Sequence, residues 1–183
     1  METQKILIPD NEGNHLVVVL YFYGDNEKLD TFQIPEEFTD LDIADISINK
    51  LYLDRPLMKT ALYKMYHWLL EKFMEYPNAV FTFICSTDPL ETKNNHTALK
   101  PESYRWNLFE CLYTRYKNAL DESGIRAKDI IVGPDEYQTF AKVFYRDRHS
   151  AIIHLVIAHL TDKYAQARQD YRAGRHKQRH RTG

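Results

Sequence analysis

The chain has few of the residues that phosphate-binding loops need. It contains six glycines in 183 residues, and neither G-x-x-x-x-G-K nor G-x-G-x-x-G occurs in it. A phosphate-binding turn needs glycines because its backbone N–H groups must approach the anion closely. The polar stretch STDPLETKNN, at positions 86–95, has none. The sequence therefore argues against nucleotide binding by such a loop.

Cysteines and long apolar runs are also scarce. Cys85 and Cys111 are too few for a disulfide framework and too far apart for a thiolate zinc site, so we expect two buried, reduced thiols. The longest apolar run, AIIHLVIAHL, is about half the length that crosses a bilayer. The N-terminus lacks a signal-peptide pattern, and the histidines lack metal-ligand spacing. We therefore expect a soluble cytoplasmic protein without a membrane segment or metal site.

Charge is distributed unevenly along the chain. The six bases from Arg168 onward face one acid, Asp170, so this tail carries +5 and the remainder −7, for a net charge of −2. The tail bases are Arg168, Arg172, Arg175, Lys177, Arg179 and Arg181. Such a segment can contact phosphates or an acidic protein surface, or it can be a solvated extension. It predicts a protein or RNA partner, and no helix that would read a DNA sequence is evident.

The hydrophobic pattern predicts an α+β domain. Period-two and continuous apolar runs indicate strands in the first third, at 79–85, at 129–132 and around 138–148. Apolar stripes at helical spacing indicate helices after Pro56, after Pro101 and from near Ser150, which is a candidate N-cap. The expected order is β-β-(β)-β-α-β-α-β-β-α, where the bracketed strand is TFQIP. The domain should span residues 1–166, followed by a frayed or disordered tail at 167–183.

One strand end could carry a binding site. The run FTFICSTD, at 81–88, brings Asp88 to the surface, where an Asx-turn is the simpler interpretation. Arg105 and Arg115 on the following helix could line a groove with Asp88. Arg146 and Arg148, near a later strand end, could contribute to the same groove. Ion pairs and cation–π contacts on a helix surface explain these arginines equally well.

Two motifs resemble a family of small uncharacterised bacterial α+β proteins. Members have a strand that ends in a YICD-like motif, followed by a helix of the type RxxLFNRWF. Ile84-Cys85 and Asp88 resemble the first motif, and Arg105, Leu108, Phe109 and Tyr113 the second. The resemblance extends over about residues 13–164. It implies a fold and no activity.

The element order after Ile46 is also similar to the second half of the GCN5-related acetyltransferase fold. In that fold a helix N-terminus after a central strand binds a cofactor pyrophosphate, and a tyrosine on a later helix can act as general acid. The resemblance implies a coenzyme A thioester as cofactor and Tyr113 or Tyr116 as the acid. The motif Q/R-x-x-G-x-G/A is absent at DRPLMKTAL, and Pro56 removes a donor N–H, so the resemblance implies a degenerate member.

These observations predict a non-enzymatic interaction protein that binds a macromolecular partner, without a cofactor, through its basic tail. An acyltransferase-like enzyme that uses a coenzyme A thioester is the first alternative. An RNA-binding accessory protein is the second. The predicted binding residues are Asp88, Arg105, Arg115 and the six tail bases.

Overall fold

Runs of β-branched and aromatic residues form a six-stranded mixed sheet. The structure is a computed structural model that describes residues 2–9, 15–38, 40–51, 59–85, 101–132, 139–163 and 165–166. The strands are β1 (Glu2–Pro9), β2 (His15–Phe22), β3 (Asp42–Leu51), β4 (Ala79–Ile84), β5 (Ile125–Val132) and β6 (Thr139–Arg146). Their order in the sheet is β1-β2-β3-β4-β6-β5.

One pair of neighbouring strands is parallel. β3 and β4 share a parallel register from Asp42↔Ala79 to Ile46↔Phe83, and the remaining neighbours are antiparallel. The crossover between them contains a helix, because parallel strands cannot be joined by a tight turn. This helix is α2 (Lys59–Glu75), and α3 (Pro101–Glu122) lies between β4 and β5 in the chain. The structure confirms the predicted single α+β domain.

The two faces of the sheet carry separate hydrophobic clusters. On one face α2 and α3 bury residues such as Met65, Leu69 and Phe109 against the sheet. On the other face Phe32 of α1 (Asp25–Phe32) joins Val156 and Leu160 of α4 (residues 153–163). Each fully buried side chain of this kind stabilises the fold by about 1.5–3 kcal/mol. Continuous apolar runs in the central strands follow from this burial on both faces.

The prediction of a strand at TFQIP is wrong. Thr31 and Phe32 end helix α1, and Gln33 has a left-handed φ of 52°. This reversal brings Phe32 and Ile34, both buried, into the same cluster. Their spacing of two therefore imitates the alternation of a strand.

Two element boundaries and the solvent exposure of one cysteine also differ from the prediction. β5 begins at Ile125, four residues before the predicted start at 129. Ser150 is not the cap of α4, which starts at residue 153, because its hydroxyl donates to Asp147 O at 2.6 Å and ends a short 3₁₀ turn. Cys85 is buried as expected, but Cys111 is exposed on α3. No disulfide joins the two cysteines.

Candidate functional site

Most of the predicted binding residues lie outside the described part of the chain. Asp88 falls in the stretch 86–100, and the tail bases fall in 167–183. Arg105 is on α3, but its side chain is not described. Arg115 is described: its guanidinium lies 4.9 Å from the Tyr63 ring centre and donates to the Tyr63 hydroxyl at 3.1 Å. Arg115 therefore links α3 to α2 at the surface.

Arg146 and Arg148 do not share an end of the sheet with Cys85, the last described residue before Asp88. β4 and β6 are antiparallel, so the carboxyl end of β6 lies beside the amino end of β4. The Arg146 guanidinium donates to Phe73 O at 2.8 Å and to Ser123 O at 2.6 Å. It thereby satisfies carbonyl groups where α2 and α3 end. These contacts give Arg146 a structural role, and the groove that this pair would share with Asp88 stays a prediction because Asp88 lies outside the described residues.

The two tyrosines suggested as acids have different surroundings. Tyr113 is half-buried on α3, and burial raises the pKa of its hydroxyl although Lys142 opposes the shift. Tyr116 stacks on Tyr66 with ring centres 4.5 Å apart, and its hydroxyl lies 3.1 Å from Nε2 of His67. Tyr113 is therefore protonated at neutral pH, whereas Tyr116 belongs to the packing between α2 and α3.

A buried lysine lies beneath α3, and sequence reasoning missed it as a site residue. Lys142 is 2% exposed on β6, and its ammonium pairs with Glu110 at 2.7 Å and with Asp129 of β5. The ammonium also lies 4.9 Å from the Trp106 ring and 4.3 Å from the Tyr113 ring. We call these five residues the lysine centre. A buried charge needs partners of this kind because desolvation is costly.

A second buried polar group lies near the lysine centre. Tyr66 of α2 is 2% exposed, and its hydroxyl has no hydrogen-bond partner among the described residues. Burial raises the pKa of this hydroxyl, with smaller contributions from Tyr113 and Glu110. The hydroxyl therefore remains protonated across the physiological range. The lysine centre and Tyr66 together form a polar interior between α2, α3 and the sheet.

An open groove runs between β1 and α2 on the same face of the sheet. Its volume is about 330 Å³, at the lower end of the range typical of ligand sites. We call it the β1–α2 groove, and it is lined by Ile6, Leu7, Ile8, Pro9, Lys64, His67, Trp68 and Glu71. Trp68 and Ile6 supply apolar surface that continues into the core cluster.

Charge changes sign along the β1–α2 groove. Gln4 hydrogen-bonds the Tyr76 hydroxyl, so the start of β1 lies beside the end of α2. Burial raises the pKa of Tyr76, and Glu75 and Glu2 add to this shift. Lys72, which pairs with Glu75 at 2.5 Å, opposes it, so Glu75 is partly neutralised. Lys64 therefore lies at the end of the groove beside the end of β1, and Glu71 lies at the end that faces Glu2.

The backbone of β1 is paired with β2 on one side only. Tyr23 N–H donates to Ile43 O at 2.9 Å, so Tyr23 directs its backbone groups toward β3. The preceding residue, Phe22, therefore directs its own groups toward β1, where its register partner is Glu2. Because this direction alternates along a strand, every second residue of β1 points its N–H and C=O away from β2. These residues are Thr3, Lys5 and Leu7.

The sequence carried a weak signal for the lysine centre and a weaker one for the groove. Lys142 alternates with Phe140 and Phe144 on the buried face of its strand, so it is a charge at a core position. Its partners, Glu110 and Asp129, come from two other elements and cannot be matched to it without the strand order. The groove depends on how α2 crosses β1, which periodicity does not encode.

Two further findings concern membranes and metals. No helix in the described ranges is long and apolar enough to span a bilayer. Within the same ranges, no group of three or more His, Cys, Asp or Glu side chains could hold a metal ion.

Comparisons of the chain with protein-family models, with curated proteins and with solved structures found no match.

Proposed function

We propose that the protein is a non-enzymatic interaction protein whose partner surface is the β1–α2 groove. The observation that carries this proposal is the groove itself, about 330 Å³ in volume and bordered by an edge strand. Exposed Lys64, His67 and Glu71 lie around the half-buried Trp68, which gives an apolar centre with a polar rim. Protein interfaces have this organisation, with tryptophan enriched at their centres.

A selection from a random peptide library displayed on phage tests this proposal. The groove variant carries Lys64→Glu and Glu71→Lys together. The matched control, Lys117→Glu with Asp121→Lys, reverses the charges of an exposed ion pair on α3. We expect enriched peptides to lose binding to the groove variant and to keep it with the control, as measured by fluorescence anisotropy. Enriched peptides that bind both variants equally would contradict the proposal.

The basic tail remains part of this proposal as a second contact. Its six bases can add a salt-sensitive attraction to a partner that the groove binds. A chain that stops after Gln166 should then bind selected acidic partners more weakly at low salt and equally at high salt. Equal binding by both chains at low salt would show that the tail does not contribute to partner binding.

Coenzyme A thioester binding is a second candidate, supported by one feature of the fold. β3 and β4 are parallel, and α2 and α3 both begin near the carboxyl ends of these strands. Such edges are frequent ligand sites in sheets with helical crossovers. Tyr113 is protonated and would be the acid of the reaction.

A thermal shift with acetyl-CoA tests this second candidate. A ligand at 100 times its Kd stabilises the native state by about 2.7 kcal/mol, which should raise the Tm by about 5 to 10 °C in a chain of this size. The Tyr113→Phe variant should bind acetyl-CoA equally and lose any acyl transfer. No shift at millimolar acetyl-CoA would exclude the candidate.

A further inference from the structure

We infer that the occupant of the β1–α2 groove is an extended segment of a partner protein that adds to β1 as an antiparallel strand. Its acidic end lies near Lys64, its apolar side chains lie over Trp68, and its basic end lies near Glu71 and Glu2. This inference rests on the proposed function and specifies the chemistry of the partner.

The open side of β1 provides the backbone groups for such an addition. The N–H and C=O groups of Thr3, Lys5 and Leu7 point away from β2, and no described strand pairs with them. An added strand gains affinity from main-chain hydrogen bonds and specificity from pockets for alternate side chains. The groove beside β1 supplies the surface that alternate side chains would contact. Backbone and groove together therefore favour an extended segment over a helix.

The charges around the groove determine which end of an antiparallel segment is acidic. β1 runs from the end near Glu2 and Glu75 toward the end near Lys64. An antiparallel segment therefore begins near Lys64 and ends near the acidic residues. Its amino end should be acidic and its carboxyl end basic. Antiparallel pairing is also slightly more stable per residue than parallel pairing.

Helix and strand geometry give the spacing between these charges. Lys64 and Glu71 are seven positions apart on α2, which corresponds to about 10 Å along the helix axis. A strand covers that distance in about three residues. The segment should therefore carry its acidic and basic side chains about three to five positions apart, with apolar residues between them.

Synthetic peptides test the inference directly. The probe peptide has about eight residues, to match the length of β1, with valine alternating with threonine. Its glutamate and its lysine are about four positions apart, and the glutamate is nearer the amino end. A second peptide has the two charges exchanged. A third carries N-methyl groups on two amides that would face β1. Binding of each fluorescent peptide to the full chain is measured by anisotropy.

We expect the probe to bind about tenfold more tightly than either of the other two peptides, because each loses favourable contacts with the groove or the edge. The charge-exchanged peptide should bind better to the variant with Lys64→Glu and Glu71→Lys. On the protein side, Leu7→Pro removes an outward N–H and should weaken the probe about tenfold, whereas Ile131→Pro at an exposed position of the other edge strand, β5, should not. Circular dichroism melting verifies that both variants are folded.

Several results would overturn the inference. If N-methylation and Leu7→Pro leave the affinity unchanged, the segment does not add as a strand. If phage-selected peptides still depend on Lys64 and Glu71, the proposed function stands and only the strand addition fails. If sedimentation shows a wild-type dimer that Leu7→Pro converts to a monomer, the occupant is a second copy of this chain.

Discussion

The two edges of the sheet are protected to different degrees. The edge strand β5 exposes Arg126 and Lys128, and Arg126 forms two hydrogen bonds with Asp147 at 2.8 and 3.1 Å. The edge strand β1 also exposes charged side chains, Glu2 and Lys5, and its exposed Leu7 (51%) has a counterpart in Ile131 (53%) on β5. Charged side chains on an edge discourage pairing with another chain. The edges therefore differ in two features: Arg126 on β5 is held in an ion pair, and β1 borders the groove. Under our proposal, this groove makes β1 the edge that binds a partner.

The largest effect should follow from removing the charge that attaches β5 to its neighbours. Lys142→Ala leaves Glu110 and Asp129 without their shared cation and removes contacts with two aromatic rings. We expect a loss of about 3 kcal/mol in the free energy of unfolding, because truncating a large buried side chain removes its packing and leaves a cavity. The two carboxylates left behind are 31% and 47% exposed, so they remain hydrated. Urea denaturation measures this, with the exposed Lys128→Ala as control. A loss below about 1 kcal/mol would show that the lysine centre contributes little to the β5 side.

A pH-dependent loss of stability should also arise on the β5 side. His149 is buried in the turn after β6, and burial together with Arg148 lowers its pKa to about 4. Between pH 6.5 and about 4 the unfolded chain binds a proton that the folded chain does not, so stability falls as the pH falls through this window. The loss should reach up to about 3 kcal/mol.

Urea titrations at pH 7 and pH 4.5 measure this loss. The His149→Gln variant should be less sensitive to pH over this range than the wild type. His154→Gln, at an exposed position of α4, should behave like the wild type. Identical pH profiles for the His149 variant and the wild type would contradict the assignment.

The charged pair on the β5 edge should have a smaller effect on stability. Arg126→Ala removes the exposed pairing with Asp147, and we expect a small loss of stability that decreases in high salt. The variant should also have a greater tendency to self-associate, since the edge loses a charge. Chemical denaturation at two salt concentrations and sedimentation velocity measure both effects. Unchanged association would mean that Arg126 does not protect this edge.

The smallest effect on stability should come from charging the open edge. Leu7→Lys places a charge on an exposed side chain of β1, so the free energy of unfolding should change by about 0.5 kcal/mol or less. The variant should nevertheless bind the probe peptide more weakly, because a further charge on the edge discourages pairing. Leu7→Thr, which adds no charge, is the control. Equal peptide affinities for the two variants would show that the added charge does not cause the weaker binding.

Much of the fold could be predicted because local patterns determine it. The stripe of Met65, Leu69 and Phe73 identifies α2, and the apolar run at 79–84 identifies β4 as a buried central strand. Helix α1 was missed because Gln33 reverses the chain between two buried residues. Such a reversal depends on tertiary packing that local spacing does not reveal.

The candidate site could hardly be predicted at all. The groove combines the first strand of the chain with a helix that begins fifty residues after that strand ends. The lysine centre combines three elements from the second half of the chain. Asp88 and the basic tail were predicted as binding residues from residue type and composition, because charged residues can be identified directly in a sequence. Residues that are distant in the chain, such as those of the groove and the lysine centre, come together only in the folded structure.

The positions of the two tryptophans have a practical consequence. Trp68 lines the β1–α2 groove, whereas Trp106 stacks on Phe140 with ring centres 5.5 Å apart beside Lys142. The chain contains no other tryptophan. Replacing either one with phenylalanine leaves a single tryptophan among the tyrosines, so emission excited selectively from tryptophan reports separately on one of the two regions. The protein therefore carries its own optical probes, which can follow groove occupancy and unfolding without an attached label.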